Sequence, residues 1–410
     1  MDSYLLRAAA LAAALLPRLI EAAPLSLEAA LDAAVQRSEA ARAGRASVLS
    51  AAEASRAAGQ LPDPTLNVGV DNLPVTGPDR LRTTRDSMTM KRIGFTQEWV
   101  SRDKRAARRD AAEALVSRQD VMVKAAMAEA RLQTALAYLD AFYAGEAFKL
   151  TTLREHHAHE ELEAARGRLS SSNASAQEVL ALTGARGAAE DESAEVRQQQ
   201  GASVVQLERW VGLRADELTT PKEAPVPTEQ DYVAAHPTVV ALQRDVDVAR
   251  HEAAVTASNR NPNWTWGVSY GQRSGYSDML TVGVSIPIPL SPGERQDRDS
   301  AAKLALVAKV EADLGEATRV ATAEYRSLAS DVRRLQDRIE RYRAGVVTPA
   351  AQRTSVARAS YASNQTSLVT LFEARHAEVE VQRKLLTLQR DLAKARAQLT
   401  YKPLALGASQ

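Results

Sequence analysis

Leu61-Pro62-Asp63-Pro64-Thr65-Leu66-Asn67-Val68-Gly69-Val70-Asp71 stops a helix and starts a strand. Each proline lacks an N–H and clashes with the carbonyl four residues back, so neither fits a helix interior. Leu66, Val68 and Val70 then alternate with Asn67 and Gly69, the two-residue period of a strand with one apolar face. The pattern recurs at Asn261-Pro262-Asn263-Trp264-Thr265-Trp266-Gly267-Val268-Ser269-Tyr270, where Trp264, Trp266, Val268 and Tyr270 share a face. Pro62, Thr65 and Val68 lie 200 residues before Pro262, Thr265 and Val268.

Working outward, each strand has a returning partner. After a Pro-, Gly-, Asp- and Arg-rich loop from Asn72 to Asp86, Met88, Met90, Ile93, Phe95 and Gln97 mark a second alternating stretch ending at Trp99. After a short loop near Arg273 to Asp278, Leu280, Val282, Val284 and Ile286 form the fourth, ended by Pro287 and Pro289. Before each pair runs a helix. The first is capped by Ser26 with Glu28 in its first turn and has no breaker before Gly59. The other runs from Glu229 to Asn259. After each pair comes a longer helix. Arg102 to about Arg168 is some 67 residues, on the order of 100 Å at the α-helical rise. Its Leu132, Leu136, Leu139, Tyr143, Leu150 and Leu153 fall at heptad spacing. The counterpart, Glu294 towards Arg358, carries Leu328, Val332, Leu335, Ile339, Tyr342 and Val346. Polar turns containing Ser171, Ser172, Asn173 and Ser175, and Ser363, Asn364, Gln365 and Ser367, fold each helix back as a hairpin.

The chain therefore reads as one unit written twice. A first repeat covers 24–218, with strands at about 65–72 and 88–99 and a hairpin tip at about 169–175. A proline-bearing link covers 219–228. A second repeat covers 229–401, with strands at about 263–271 and 279–288 and a tip at about 360–367; a tail covers 402–410. Ile93 lies 189 residues before Val282, and Ser171 and Ser175 lie 192 before Ser363 and Ser367.

Composition narrows the function. Aromatics are 4% of 410 residues and charged residues 25%, and alanine dominates the apolar 45%, a mixture that favours long helices. A net charge of +1 gives no electrostatic case for nucleic acid. Cysteine is absent, which excludes disulfides, thiolate zinc sites and a thiol nucleophile. No run of 18 apolar residues occurs, so any membrane crossing must use a closed β-barrel. Residues 1–23 read as a signal peptide, with Arg7 before the apolar run Ala8 to Leu16 and small residues at Ala22 and Ala23. An amphipathic first helix is the alternative reading of that segment.

Four strands cannot close a barrel, and an open edge is not tolerated in lipid, so the chain must lend a fraction of a barrel to an oligomer. Trp99, Trp264, Trp266 and Tyr270 sit in the strands, as an interfacial belt requires. The competing reading is a small soluble β-domain with buried aromatics, for which four short strands offer little core. A trimer gives twelve strands, with the helices, longer than a bilayer is thick, projecting into water.

This plan resembles the TolC family of outer-membrane efflux ducts over essentially the whole chain after residue 24. Leu25-Ser26-Leu27-Glu28-Ala29-Ala30, Leu61-Pro62-Asp63-Pro64-Thr65-Leu66, Phe95-Thr96-Gln97-Glu98 and Val284-Ser285-Ile286-Pro287-Ile288-Pro289-Leu290 look like family signatures. Their details look closest to the CzcC-like heavy-metal branch. The resemblance implies a mainly α fold with a small transmembrane β part, homotrimerising into a 12-stranded barrel and an α-helical periplasmic tunnel. It implies docking to an inner-membrane RND-type pump through a periplasmic adaptor, with the hairpin tips facing the adaptor. Near the second tip the family places a tyrosine, two inward acidic residues and a basic lock residue. Tyr361 matches the first and Glu373 one acid, whereas Thr370 stands at the other acid position and Thr366 at the lock. Three Glu373 carboxylates near an axis would attract cations; a solvated surface glutamate is the bland alternative.

Other chemistry is sparse. His156, His159 and Glu160 fall on one helix face and could bind zinc, copper or cobalt, or form an ordinary polar surface. Met88 and Met90 are expected to face lipid. No P-loop, dinucleotide fingerprint or nucleophile elbow occurs, so we expect neither an enzyme nor a cofactor. Against the duct stands a soluble periplasmic coiled-coil adaptor, which would need one hairpin and a β-rich body rather than strands inserted twice.

Overall fold

A computed structural model describes residues 24–170, 175–215, 217–223 and 225–404. The expected signal segment 1–23 and the tip residues Ser171, Ser172 and Asn173 lie outside the described residues. In chain order the elements are α1 (Leu27–Arg37), α2 (Glu39–Ala58), β1 (Thr65–Asp71), β2 (Met90–Trp99), α3 (Arg102–Ser170), α4 (Ala176–Val211), α5 (Glu229–Ala234) and α6 (Pro237–Ser258). There follow β3 (Trp264–Gln272), β4 (Met279–Ser285), α7 (Gln296–Tyr342), a π-helical turn (Arg343–Val347), α8 (Thr348–Ala362) and α9 (Leu368–Tyr401). The duplicated helix, strand pair, helix plan is the architecture found.

Three helices depart from the expected course. The first is not continuous to Gly59: α1 ends at Ser38, whose φ of −62° and ψ of 105° leave the helical region. No breaker residue marks that bend. Its counterpart falls between α5 and α6, where Pro237 takes the first helical position and pushes His236 into extended backbone (φ −63°, ψ 127°). In the third, α7 loosens at Arg343–Val347 into a π-turn. Thr348 N–H bonds to Arg343 O, five residues back, and its hydroxyl donates to the same carbonyl at 3.0 Å. Pro349 follows, without an N–H to offer the regular ladder.

The strands form one antiparallel sheet in the order β1-β2-β3-β4. Leu66↔Phe95↔Val268↔Val282 and Val68↔Ile93↔Tyr270↔Leu280 are cross-strand rows on one face. Thr65↔Thr96↔Gly267↔Gly283 and Asn67↔Gly94↔Ser269↔Thr281 are rows on the other. Glycine on the second face permits close approach. A Cβ on Gly94 would stand 2.5 Å from Ser269 Cβ, and one on Gly267 2.9 Å from Thr96 Cγ2. The structure corrects the reading of the methionines. Met90 pairs with Asp71 on the polar face, its sulfur 2.9 Å from where a Cβ on Gly271 would lie, and Met88 precedes the strand. The alternation of β2 is carried by Ile93, Phe95 and Gln97, odd-numbered residues that Met88 and Met90 cannot join.

The chain packs as two compact units that cut across the repeats. One takes the described residues to Ser38, Ala128–Thr228 and Tyr325–Lys402, and so gathers both helical hairpins. Its main core joins Leu27, Ala30 and Leu31 of α1 to Ala135, Tyr138 and Leu139 of α3, Leu207 and Val211 of α4, and Ala397 of α9. Tyr138 is wholly buried, and its hydroxyl lies 2.8 Å from Leu25 O and 2.7 Å from Thr219 O. It thereby ties the start of α1 to the inter-repeat link, which also pair as a short parallel bridge at Leu25 and Leu218. Burial raises the Tyr138 pKa, keeping the donor protonated.

The other unit takes Glu39–Met127, Glu229–Glu324 and the described residues from Pro403, and holds the sheet with its flanking helices. Lys104, 3% exposed, donates to Asn261 O and Asn263 Oδ1, both at 2.8 Å, while Asn263 donates to Glu98 at 2.7 Å. This network clamps the end of β2 to the entry of β3. Arg118–Asp245 at 2.5 Å, Arg250–Glu311 at 2.6 Å and Lys303–Glu252 at 2.8 Å tie α6 to α3 and α7.

Candidate functional site

Two surfaces, one in each unit, carry the features expected of function. On the sheet, the face bearing Leu66, Val68, Ile93, Phe95, Leu280, Val282 and Val284 exposes every one of those side chains. A soluble β-domain would bury them. Trp99 and Trp264 lie opposite one another at the helix end of this face, ring centroids 5.9 Å apart, with Trp266 beside them. Tyr270 stands toward the loop end, its hydroxyl donating to Asp278. From Trp99 to Lys91 is eight residue steps, ~27 Å along an extended strand, the scale of a bilayer's apolar band. Gln97, a polar residue within the face, donates to Pro62 O at 2.7 Å. Both outer edges, on β1 and β4, are unpaired among the described residues.

The opposite face is small and polar: Thr65, Asn67, Thr96, Thr265, Ser269, Thr281 and Ser285, with glycines between. Arg92 and Asp71 form an ion pair there at 3.2 Å. One face suits hydrocarbon and the other water.

In the hairpin unit, the two tips pack on each other through Leu162, Ala165, Leu182, Ala357, Leu368, Leu371 and Ala374, with Val179, Tyr361 and Phe372 around them. Ser175 and Ser367 start α4 and α9 alike: each hydroxyl accepts from the N–H three residues on, Glu178 at 3.1 Å and Thr370 at 3.2 Å. Asn364 turns the second tip at φ +54°, and Gln365 N–H returns to Ser360 O at 2.8 Å. Ser363 hydroxyl contacts Ala359 O and Ser360 O at 3.2 and 3.1 Å.

The expected gate residues are not equivalent. Tyr361 is half-buried, with the Arg168 guanidinium 5.7 Å from its ring centroid. Thr370 Oγ1 lies 3.1 Å from Ser367 Oγ, so its side chain serves the cap. Thr366 Oγ1 is buried without a hydrogen-bond partner. Glu373 is exposed and makes no ion pair among the described residues. Four charged residues went unnoticed in the sequence. Arg168 pairs with Glu178, and Arg375 with Glu161 at 2.6 Å. Glu178 precedes Thr370 by the same 192 residues that separate the capping serines, so the repeat itself was the signal.

The histidine cluster assembles differently from the expectation. Glu160 receives His156 Nε2 at 3.2 Å and His157 Nδ1 at 3.5 Å, whereas His159 is exposed and joins neither. Among the described residues no three His, Asp or Glu side chains converge as a metal site. Nor, among the described residues, is any helix long and apolar enough to cross a membrane.

No protein-family model and no curated protein matches the sequence. Solved structures match the fold. The outer membrane protein VceC of Vibrio cholerae superposes with a TM-score of 0.74 at 16% identity, over 92% of this chain and 95% of that one. CusC, studied for folding and transmembrane channel formation, gives 0.76 at 13% identity, over 92% and 91%. The open state of the MtrE outer membrane channel of Neisseria gonorrhoeae gives 0.75 at 14% identity, over 92% and 88%. The likeness runs nearly the full length of each, and the chain has the TolC-like fold of these outer-membrane channels.

Proposed function

We propose that this chain is one protomer of a homotrimeric exit duct in a bacterial outer membrane. The observation that carries the reading is the sheet. It has one continuous exposed apolar face, one small polar face and two open edges, so it is unusable alone in lipid and complete only when copies join edge to edge. Three copies supply twelve strands, and the fold shared with outer-membrane channels supports that closure. The hairpins then belong to the periplasm. Their polar tips would face a periplasmic adaptor, through which an inner-membrane RND-type pump delivers cargo. We favour heavy-metal cations as cargo on the sequence's resemblance to the CzcC-like branch, with drugs or other small solutes as the alternative. A soluble coiled-coil adaptor is disfavoured by the exposed apolar sheet face.

A duct needs no catalytic group, only a lumen and a closure. Glu373, exposed near the second tip, is our candidate for a ring of three carboxylates that attracts cations at the tunnel mouth. Tyr361 supports that tip by packing, and Thr370 by bonding to Ser367, the cap of the helix on which Glu373 sits.

The test is biochemical first. The mature chain should require detergent for extraction, run as a heat-modifiable trimer, and conduct in planar bilayers. A monomer soluble without detergent would overturn the proposal. Glu373→Ala should weaken block of the pore by divalent cations; unchanged block would remove Glu373 from the gate.

A further inference from the structure

We propose that the loop end of the sheet is a docking surface for the phosphates of anionic membrane lipid, built from Lys91, Arg80, Arg82 and Arg85. The proposal rests on the reading of the sheet as membrane-spanning. Lys91 is the key placement. Val70, Lys91 and Gln272 form one cross-strand row, so Lys91 stands on the apolar face, two residues beyond exposed Ile93 and four beyond exposed Phe95. The apolar rows thus end in an ammonium group whose methylene stem can lie along hydrocarbon while its charge reaches the headgroups.

The acids at this end are committed to the protein's own structure. Asp71 is paired with Arg92 at 3.2 Å. Asp86 accepts from Met88 N–H at 2.6 Å. Asp278 accepts from Arg273 N–H at 3.0 Å and from the Tyr270 hydroxyl. Asp86 and Asp278 keep their charge, because those donors are neutral, and Asp79 is the third carboxylate without an ion pair among the described residues. Beside the three stand Arg80, Arg82, Arg85 and Lys91, all exposed and all without an ion pair among the described residues, so cations remain in excess.

The cations are presented by a folded loop, not a tether. Leu81 N–H bonds to Pro74 O at 2.7 Å, Arg82 N–H to Asp79 O at 3.1 Å, and Thr89 hydroxyl to Asn72 O at 2.9 Å. Arg273 reaches across from the second hairpin to Ser87 O at 2.9 and 2.5 Å. Leu81 is held at φ +59°, a conformation costly for a bulky side chain, yet it projects with 59% of its surface exposed. Val75 and Met88 are exposed in the same loop. Aliphatic side chains interleaved with unpaired cations match the boundary between acyl chains and phosphates. An acidic protein partner would satisfy the charges but leave Leu81, Val75 and Met88 unexplained.

The experiment uses the detergent-solubilised full chain and native mass spectrometry. Phosphatidylglycerol should bind at least tenfold more tightly than phosphatidylcholine, and the preference should shrink as salt is raised. It should vanish in Arg80→Gln/Arg82→Gln/Arg85→Gln/Lys91→Gln and persist in Arg319→Gln/Arg341→Gln, which alters helix charges. If the quadruple variant does not assemble, Arg82→Gln/Lys91→Gln carries the same test, with at least a threefold loss expected. Inorganic phosphate at equal phosphorus concentration should not compete. Equal binding of both lipids by the wild type, retention of preference by the variants, or displacement by polyglutamate but not by lipid would each overturn the proposal. Channel conductance of the same preparation separates the two readings. Conductance without lipid preference sinks only this surface, while absence of both conductance and detergent dependence sinks the duct.

Discussion

At the hairpin tips Glu161 carries a carboxyl to 4% exposure, with Arg375 at 2.6 Å on one oxygen and the other buried without a partner. Burial lifts its pKa above the ordinary 4.5, and the opposing pull of Arg375 is the smaller effect. A carboxyl whose folded value is raised binds its proton more tightly in the native state. Its contribution to stability is therefore complete below 4.5 and is lost as pH rises through the folded value. Glu161→Gln, permanently neutral, should flatten the pH dependence of the melting temperature above pH 4.5. An unchanged slope would show that the native carboxyl titrates like an exposed one. At this scale the sequence was least legible. Tyr361 and Glu373 could be placed near the tip, but the partnership of Arg168 with Glu178 depends on two helices meeting, which spacing along one helix cannot report. His159 is a different case: it is adjacent to Glu160, and neighbouring residues on a helix do not face each other, whereas His157 reaches Glu160 at i,i+3 spacing.

At the scale of elements, α9 is the stave on which the first hairpin is stitched. Its basic residues meet acids of α3 and α4: Arg375 with Glu161, Arg383 with Glu192, and Lys394 with Asp140 at 2.8 Å. Glu192 also receives Arg154, whose side chain is 9% exposed. Removing a carboxylate that serves two guanidiniums in a poorly solvated place leaves charge uncompensated, a loss of about 3–5 kcal/mol. Glu192→Gln should accordingly lower the unfolding midpoint far more than Glu316→Gln, whose partner Arg319 sits on an exposed helix surface. Equal effects would refute the stitch. Ser175→Ala and Ser367→Ala should each cost about 1 kcal/mol, because either leaves a first-turn N–H without its acceptor. The long helices and strands were legible because their periods of seven and two persist over many residues. The bends were less so: Pro237 was a usable sign that the helix from Glu229 could not be continuous, whereas Ser38 gave none.

At the scale of the molecule, the duplication explains why an unclosed sheet is maintained. One repeat offers a single strand pair with both faces exposed, and two offer four strands whose rows still end at open edges. Closure is thereby deferred to association, and each face acquires its meaning only then. The two faces make opposite demands on a charge, which gives the sharpest test of the architecture. Val282, 68% exposed, lies on the apolar face, and its neighbour Thr281 on the polar one. Val282→Arg should cost on the order of 2–4 kcal/mol per site in lipid and deplete the heat-modifiable trimer. Thr281→Arg should assemble normally and, with three added cations in the lumen, lower single-channel cation conductance. If both arginines were equally disruptive, or if Thr281→Arg left conductance unchanged, the polar face would not line a water-filled pore. The Met90 correction already illustrates why adjacent residues can differ so much: a one-residue change of parity moves a side chain across the sheet.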